Sequence, residues 1–172
     1  VIILSPRAVE RLESYVPPWP MPKIFRMTSG GKLSAGIFEG ETINTPSMLC
    51  VEDYLVALKW AKGLGGLKAL RARADANAAA LDGWISASPF AKNLSKRPET
   101  KSNTSVCLSL AGDEAVPKKM AKLLEAEGVA FDIGGYRDAP PGLRVWCGAT
   151  VETSDIKALL PWLDWAYATA TA

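Results

Sequence analysis

The sequence contains no histidine among its 172 residues. This absence excludes serine–histidine and cysteine–histidine nucleophile pairs, imidazole acid–base catalysis and most zinc-dependent catalysis. Cysteine is scarce as well, since Cys50, Cys107 and Cys147 are far apart and lie in apolar stretches. Disulfide frameworks and zinc sites need cysteines in pairs or clusters. We therefore expect three reduced core thiols and no metal site.

Neither charge nor apolar length is concentrated anywhere in the chain. Twenty basic and eighteen acidic residues give a formal charge of +2, which offers no basic track for nucleic acid. No apolar run approaches the roughly 20 residues that span a bilayer, and no targeting segment is present. We expect a cytoplasmic, globular protein without nucleic-acid or membrane partners. Because Val1 is not preceded by an initiator methionine, we also expect a fragment of a longer protein.

The first third of the chain predicts a strand, a helix and an irregular arm. Residues 1–4 are apolar and favour a short buried strand, and Ser5-Pro6 then supplies an N-cap and a first-turn proline for a helix to about Tyr15. Prolines in residues 16–23 and glycine pairs in residues 24–43 favour an ordered but irregular surface arm.

The rest of the chain alternates between helical and extended patterns. Thr45-Pro46 repeats the cap-then-proline signal and predicts a helix that stops at the glycines after Lys62, followed by an alanine-rich helix that ends before Pro89. We predict an α/β sandwich with helices on one face of a small antiparallel or mixed sheet. The expected elements are a basic loop at 92–101, strands at 104–110, 129–133 and 143–147, and helices at 115–127 and 155–167.

Asn44 and Thr45 stand immediately before a predicted helix. Short polar side chains beside free backbone N–H groups at a helix start can bind phosphate. The same residues can equally act only as helix caps. The pattern leaves both interpretations open.

Two arginines in the last quarter of the chain are further candidates. Tyr136 and Arg137 follow the glycine pair Gly134-Gly135, so a flexible loop would present a phenol and a guanidinium. Arg144 interrupts an apolar strand, and alternation places it on the face opposite its two neighbours. Arg144 either lies on a solvated face or binds a carboxylate through two parallel hydrogen bonds.

Four segments in order along the chain resemble phosphoserine aminotransferases. They are ILSPRAVERL at 3–12, PKIFR at 22–26, Asn-Thr-Pro at 44–46 and Gly-Leu-Arg at 142–144. The longer run GETINTPSMLCVEDY at 40–54 is the most specific, and the similarity covers essentially the whole chain. The chain resembles the C-terminal half of this family, whose members are class V aminotransferases of fold type I that use pyridoxal phosphate.

The resemblance implies a fold, a reaction and a partner. The chain would contain the end of a large cofactor domain with connector helices, residues 1–81, and a small C-terminal α/β domain, residues 82–172. The complete enzyme would be a homodimer that transfers an amino group between glutamate and 3-phosphohydroxypyruvate in serine biosynthesis. Because the large-domain partners of residues 1–46 are not in the chain, we expect exposed apolar surface there.

The resemblance also assigns roles to residues. Asn44 and Thr45 match a pair that reaches the cofactor phosphate of the partner subunit. Arg144 matches the arginine that binds the substrate α-carboxylate, and Arg137 matches one that binds the substrate phosphate. Tyr136 stands where the family usually has histidine, which replaces a possible cation by a neutral hydroxyl.

The lysine that holds the cofactor in this family has no counterpart in the sequence. The chain therefore contains no catalytic residue by this resemblance, and we expect it to be inactive and to bind no pyridoxal phosphate alone. Two alternatives stay open: another class V aminotransferase with a different small-molecule acceptor, and a non-catalytic α/β binding module.

Overall fold

The computed structural model describes residues 2–172. These residues form two compact units, 2–57 and 58–172, and the division falls inside a helix. Each unit is described by itself. No helix in the described part of the chain is both long and apolar enough to cross a membrane.

The first unit begins with an extended segment and helix α1, Pro6–Ser14. The prediction of a buried strand at residues 1–4 is wrong for residues 2–4, which pair with no strand, and Ile3 is 90% exposed. Val1 lies outside the described residues. A strand needs a neighbouring strand, and residues 2–172 provide none at this place. The predicted cap of α1 is confirmed, because Ser5 Oγ accepts a hydrogen bond from the Ala8 N–H at 3.2 Å.

The predicted irregular arm is confirmed and contains a small hairpin. Strands β1, Thr28–Ser29, and β2, Lys32–Leu33, are antiparallel and flanked by 3-10 helices at Lys23–Phe25 and Ala35–Phe38. Gly30 and Gly31, which join the strands, have φ angles of 58° and 76°, and glycine adopts such angles at little cost. The carboxylate of Glu13 on α1 accepts from the Leu33 N–H at 2.9 Å and thereby ties the helix to the hairpin.

Helix α2, Met48–Gly63, starts later than the sequence indicates. We expected Thr45 to be its cap, but the Cys50 N–H lies 3.5 Å from Ser47 Oγ and the Val51 N–H bonds the Ser47 carbonyl. Ser47, not Thr45, therefore lies at the capping position. No residue of α2 is buried, and Cys50 is exposed, so the expectation that all three thiols lie in a core is wrong for Cys50.

The second unit contains a three-stranded antiparallel sheet in the order β3-β4-β5, and three helices pack with it. The predicted small antiparallel sheet and its helices are confirmed. The elements are α3 at Gly66–Ala87, β3 at Ala91–Asn93, a 3-10 helix at Pro98–Thr100, β4 at Ser105–Leu110, α4 at Val116–Ala126, β5 at Gly142–Trp146 and α5 at Thr153–Thr171.

Two elements of the sheet differ from the prediction. Residues 129–133 form no strand; only a single bridge joins Gly134 to Leu143, and Asp132 has a φ angle of 52°, which breaks the extended backbone. Strand β3, Ala91–Asn93, includes the first two residues of the basic stretch at 92–101 that was expected to be a loop. Periodicity cannot identify so short an element.

The core of the second unit lies on one face of the sheet. In the antiparallel register Val106 faces Val145 and Leu108 faces Leu143, and all four are buried. Helices α3, α4 and α5 contribute further apolar side chains to the same cluster, among them Leu81, Met120, Leu124, Ile156 and Leu163. This packing leaves the other face of the sheet free for polar residues.

Candidate functional site

Arg144 lies in the middle of β5 on the open face of the sheet. Its neighbours Leu143 and Val145 are buried, whereas the Arg144 side chain is 32% exposed. This confirms the side of the strand that alternation predicts. Gly142 allows the strand to start here, because a Cβ at this position would lie 2.1 Å from the carbonyl oxygen of Leu108.

The guanidinium of Arg144 forms an ion pair with Asp132. Arg144 Nη2 donates to Asp132 Oδ2 at 3.0 Å, and the Arg144 backbone N–H donates to the carbonyl of Ile133 at 2.8 Å. The backbone bond fixes residues 132–133 beside β5 and brings the carboxylate to the arginine. No sequence pattern predicts this pair, since it depends on a turn twelve positions before Arg144.

A cleft of about 570 Å³ opens beside Arg144. Its lining is mostly apolar, and its charged groups are the ion pair and Asp155 on the first turn of α5. The lining residues are Ser105, residues 129–133, residues 144–146, Val151, Asp155, Ile156 and Leu159. An apolar cleft with a few placed polar groups is typical of small-molecule sites.

Trp146 borders this cleft at the end of β5. Its ring covers Gly148, where a Cβ would lie 2.3 Å from the ring, and its Nε1–H donates to Thr150 Oγ1 at 3.3 Å. The indole is therefore held in place beside Arg144. Glycine at position 148 is required by this close approach rather than by its backbone angle.

Two residues of α3 hold the turn that follows β5. Asn77 is fully buried; its Nδ2 donates to the carbonyls of Cys147, Gly148 and Val151, and its Oδ1 accepts from Thr153 Oγ1 at 2.6 Å. One helical turn earlier, Arg73 donates to the carbonyl of Ala149 and pairs with Glu152. That ion pair raises the pKa of Arg73 and lowers that of Glu152.

No sequence motif marks Asn77 or Arg73. An available signal was the position of Asn77 within the apolar stripe of α3, next to Ala74, Ala78 and Leu81. A buried amide must find hydrogen-bond partners, so a polar residue on such a stripe indicates a structural link.

Tyr136 and Arg137 lie along a different cavity from Arg144. This cavity, about 490 Å³, is bordered by the loop at 134–142 and by the start of α4, including Lys118 and Glu114. Tyr136 is 62% exposed. The two arginines that sequence analysis grouped as substrate ligands thus belong to one unit but do not line the same cavity.

Asn44 and Thr45 belong to the first unit, in an exposed bend that precedes α2. Because the helix starts at Met48 and Ser47 is next to its first N–H groups, neither residue is the cap. Their amide and hydroxyl groups are exposed hydrogen-bond donors, a chemistry that fits a phosphate. The described residues contain no cluster of histidine, cysteine and acidic side chains that could hold a metal ion.

The three free cysteines differ in environment. Cys147, directly after β5, is fully buried, and burial followed by the charge of Asp82 raises the pKa of its thiol from 9.0 to about 11. A thiol with this pKa stays protonated and unreactive at neutral pH. Cys107 is half-buried and faces Arg144 across the β4–β5 ladder.

Comparison with known proteins identifies the family. Over 167 residues, the chain is 54% identical to phosphoserine aminotransferases of Methanosarcina mazei and Methanosarcina barkeri. The chain belongs to the phosphoserine aminotransferase family. These matches cover 97% of the chain but only 45% of each relative, so the chain spans less than half the length of the curated relatives it matches. No family model matches the chain.

The fold agrees with this family. A phosphoserine aminotransferase structure from a study of radiation damage to its Schiff base superimposes with a TM-score of 0.71 and 19% identity, over 93% of this chain and 41% of that one. The enzyme of Bacillus circulans subsp. alkalophilus gives a TM-score of 0.65 at 23% identity, over 73% of this chain and 34% of that one. The predicted α/β fold, as part of an aminotransferase, is thereby confirmed.

Proposed function

We propose that this chain supplies the substrate-binding part of a phosphoserine aminotransferase. The complete enzyme would exchange an amino group between glutamate and 3-phosphohydroxypyruvate in serine biosynthesis, as a cytoplasmic homodimer. The observation that supports this most strongly is the 54% identity to phosphoserine aminotransferases across 97% of the chain. Arg144, presented on the open sheet face beside a cleft, adds a group suited to an amino-acid carboxylate.

Arg144 would bind the α-carboxylate that glutamate and phosphoserine share. A guanidinium pairs with a carboxylate through two parallel N–H···O bonds, which fix both the position and the orientation of the substrate. The arginine is fixed by its place in β5, and Trp146 lines the same cleft. Arg144 would thus orient the bond to be broken at the substrate's α-carbon.

Arg137 and Tyr136 would bind the substrate phosphate. The cavity they border also contains Lys118, so two cations and a phenol surround it, against one carboxylate from Glu114. This balance favours an anion. Since Arg137 and Arg144 line separate cavities, a substrate that contacts both would need its two anionic groups to reach across the loop at 134–142.

Asn44 and Thr45 would hold the phosphate of pyridoxal phosphate in the partner subunit. The cofactor, when bound, supplies the electron sink for transamination, and the lysine that holds it would come from the other half of the enzyme. We propose that this chain by itself is inactive and binds no cofactor. We also propose that the boundary between the large and small domains of the complete enzyme lies near residue 81.

A chimaera tests this function. The 172-residue chain would be fused to the part of the Methanosarcina mazei relative that lies outside the matched region, and phosphoserine formation would be measured. We expect activity from the fusion, none from the chain alone, and a large rise in KM for both amino-acid substrates with Arg144→Lys, which keeps the charge but loses the paired hydrogen bonds.

A second variant identifies the acceptor. Arg137→Ala should slow the half-reaction with phosphoserine by about ten- to a hundredfold, because it removes a charge-assisted hydrogen bond. The glutamate half-reaction should stay nearly unchanged. Equal effects on both half-reactions would argue against the phosphate role and favour another class V aminotransferase. A folded fusion that binds cofactor but transfers no amino group from either substrate would contradict the proposed function.

A further inference from the structure

Arg144 already has a carboxylate partner within the chain. In residues 2–172 its guanidinium donates to one side chain, Asp132, with Nη2 and Oδ2 3.0 Å apart. The Asp132 carboxylate accepts no other hydrogen bond in the same residues and is 92% exposed. A ligand carboxylate would approach Arg144 through the cleft that Asp132 itself lines.

The backbone places Asp132 at the arginine. Its φ angle of 52° is left-handed, a conformation that aspartate and asparagine tolerate better than most residues with a side chain. The next carbonyl, that of Ile133, accepts from the Arg144 N–H, so the turn is fixed to β5. The backbone of residue 132 is therefore fixed close to Arg144, and the 92% exposed side chain has room to rotate into water.

We propose that Asp132 is an internal stand-in for the ligand carboxylate, which it competes with for Arg144. This inference rests on the carboxylate role proposed for Arg144. A bidentate ligand needs two donors of the guanidinium, and Asp132 occupies one of them. The Asp132 carboxylate also repels the ligand carboxylate, because both are negatively charged. Displacement is easy because an exposed ion pair is weak.

The size of the effect follows from the strength of the pair. An exposed ion pair of this kind favours the paired state of Arg144 over the free state by about 1.4- to 5-fold. Because the ligand binds only the free state, removing Asp132 should tighten carboxylate binding by one plus this ratio, which is about two- to sixfold. Asp132 then sets the affinity of the site rather than its chemistry. A residue that only positioned Arg144 would have the opposite sign, since its loss would weaken binding.

The experiment titrates the 172-residue chain with 2-oxoglutarate and follows the side-chain Nε–H resonance of Arg144 by NMR. Asp132→Asn and Asp132→Gly both suit the left-handed backbone, so neither should disturb the turn. Asp155→Asn is the matched control, because it removes the same charge from the same cleft without touching the Arg144 ion pair. Arg144→Gln, followed by the backbone amide of Trp146, reports whether binding depends on the arginine.

We expect a dissociation constant two- to sixfold lower for both Asp132 variants, little change for Asp155→Asn and no saturable shift for Arg144→Gln. Equal or weaker binding by the Asp132 variants, with binding still abolished by Arg144→Gln, would overturn the inference and leave the carboxylate role of Arg144 intact. Binding that survives Arg144→Gln would instead refute that role. If no variant binds 2-oxoglutarate, Asp132 is not what keeps carboxylates from Arg144, and the inference fails.

Discussion

The two compact units of the chain differ in whether they bury their apolar side chains. Among the described residues of the first unit, 2–57, none is buried, and Ile3, Trp19 and Leu49 are 90%, 58% and 73% exposed. The second unit, with a similar composition, buries a continuous cluster that extends from the sheet to all three of its helices. The exposed apolar surface expected at residues 1–46 is therefore confirmed.

This difference indicates where the stability of the chain resides. Burial of apolar area is the main favourable term in folding, so the second unit can stabilise itself. The first unit relies on local hydrogen bonds such as those of Ser5 and Glu13. Its exposed apolar side chains are typical of a surface that is buried against another part of a protein, which agrees with the proposal that this unit completes a large domain.

A matched pair of leucine variants should show the largest contrast. Leu108→Ala, at a site 1% exposed, should lower the free energy of unfolding by about 2–5 kcal/mol, because it removes buried area and leaves a cavity. Leu49→Ala on α2 should change it by no more than about 0.5 kcal/mol. Urea unfolding at two protein concentrations measures both. Equal losses would show that α2 is buried in solution, and a concentration dependence would identify self-association as the cause.

Matched asparagine variants should show the next largest effect. Asn77→Ala should cost about 1–3 kcal/mol, since three carbonyls and the Thr153 hydroxyl lose their buried partner. Asn44→Ala, in the exposed bend of the first unit, should leave stability unchanged while weakening cofactor binding in the complete enzyme. A stable Asn77→Ala chain would mean that the turn at 147–153 is held by Arg73 alone.

The buried thiol gives the second unit a pH dependence at its alkaline limit. The pKa of Cys147 is raised in the folded state, so its contribution is fully present below pH 9 and is lost as the pH rises toward 11. By pH 11 this amounts to about 2 kcal/mol of unfolding free energy. Cys147→Ala should flatten the loss between pH 9 and 11 relative to the unchanged chain. The same slope with and without the thiol would contradict the burial of Cys147.

Local signals were the part of the fold that the sequence could reveal. The cap of α1, the proline-rich arm and the alternation that exposes Arg144 each depend on neighbouring residues, and the structure confirms all three. The start of α2 was not predicted correctly from local signals, because Ser47 offers a second capping hydroxyl two residues after Thr45.

Non-local pairings were the part that the sequence could not reveal. Residues 129–133 have the composition of a strand, yet the left-handed turn at Asp132 ends the pairing and delivers a carboxylate to Arg144. The links from Asn77 to the turn after β5 cross about seventy positions. The roles of Asn44, Thr45, Tyr136, Arg137 and Arg144 stay predictions, because they concern groups that lie outside the chain.

The smallest expected effect tests the local stabilisation of the first unit. Two contacts lower the pKa of Glu13: first the hydrogen bond from the Leu33 N–H, then the contact with Lys32 Nζ at 3.1 Å. A lowered pKa means that the link is fully present above about pH 4.5 and is lost as the pH falls through the folded-state value. The amide resonance of Leu33 should therefore titrate below pH 4.5, and Glu13→Gln should remove that titration while the amides of β4 stay unchanged.

Because Glu13 and Lys32 are accessible to solvent, 0.5 M salt should weaken the lysine contact more than the amide bond. A Leu33 amide that ignores both pH and Glu13→Gln would show that the hairpin is independent of α1, and the first unit would then lack even this local link.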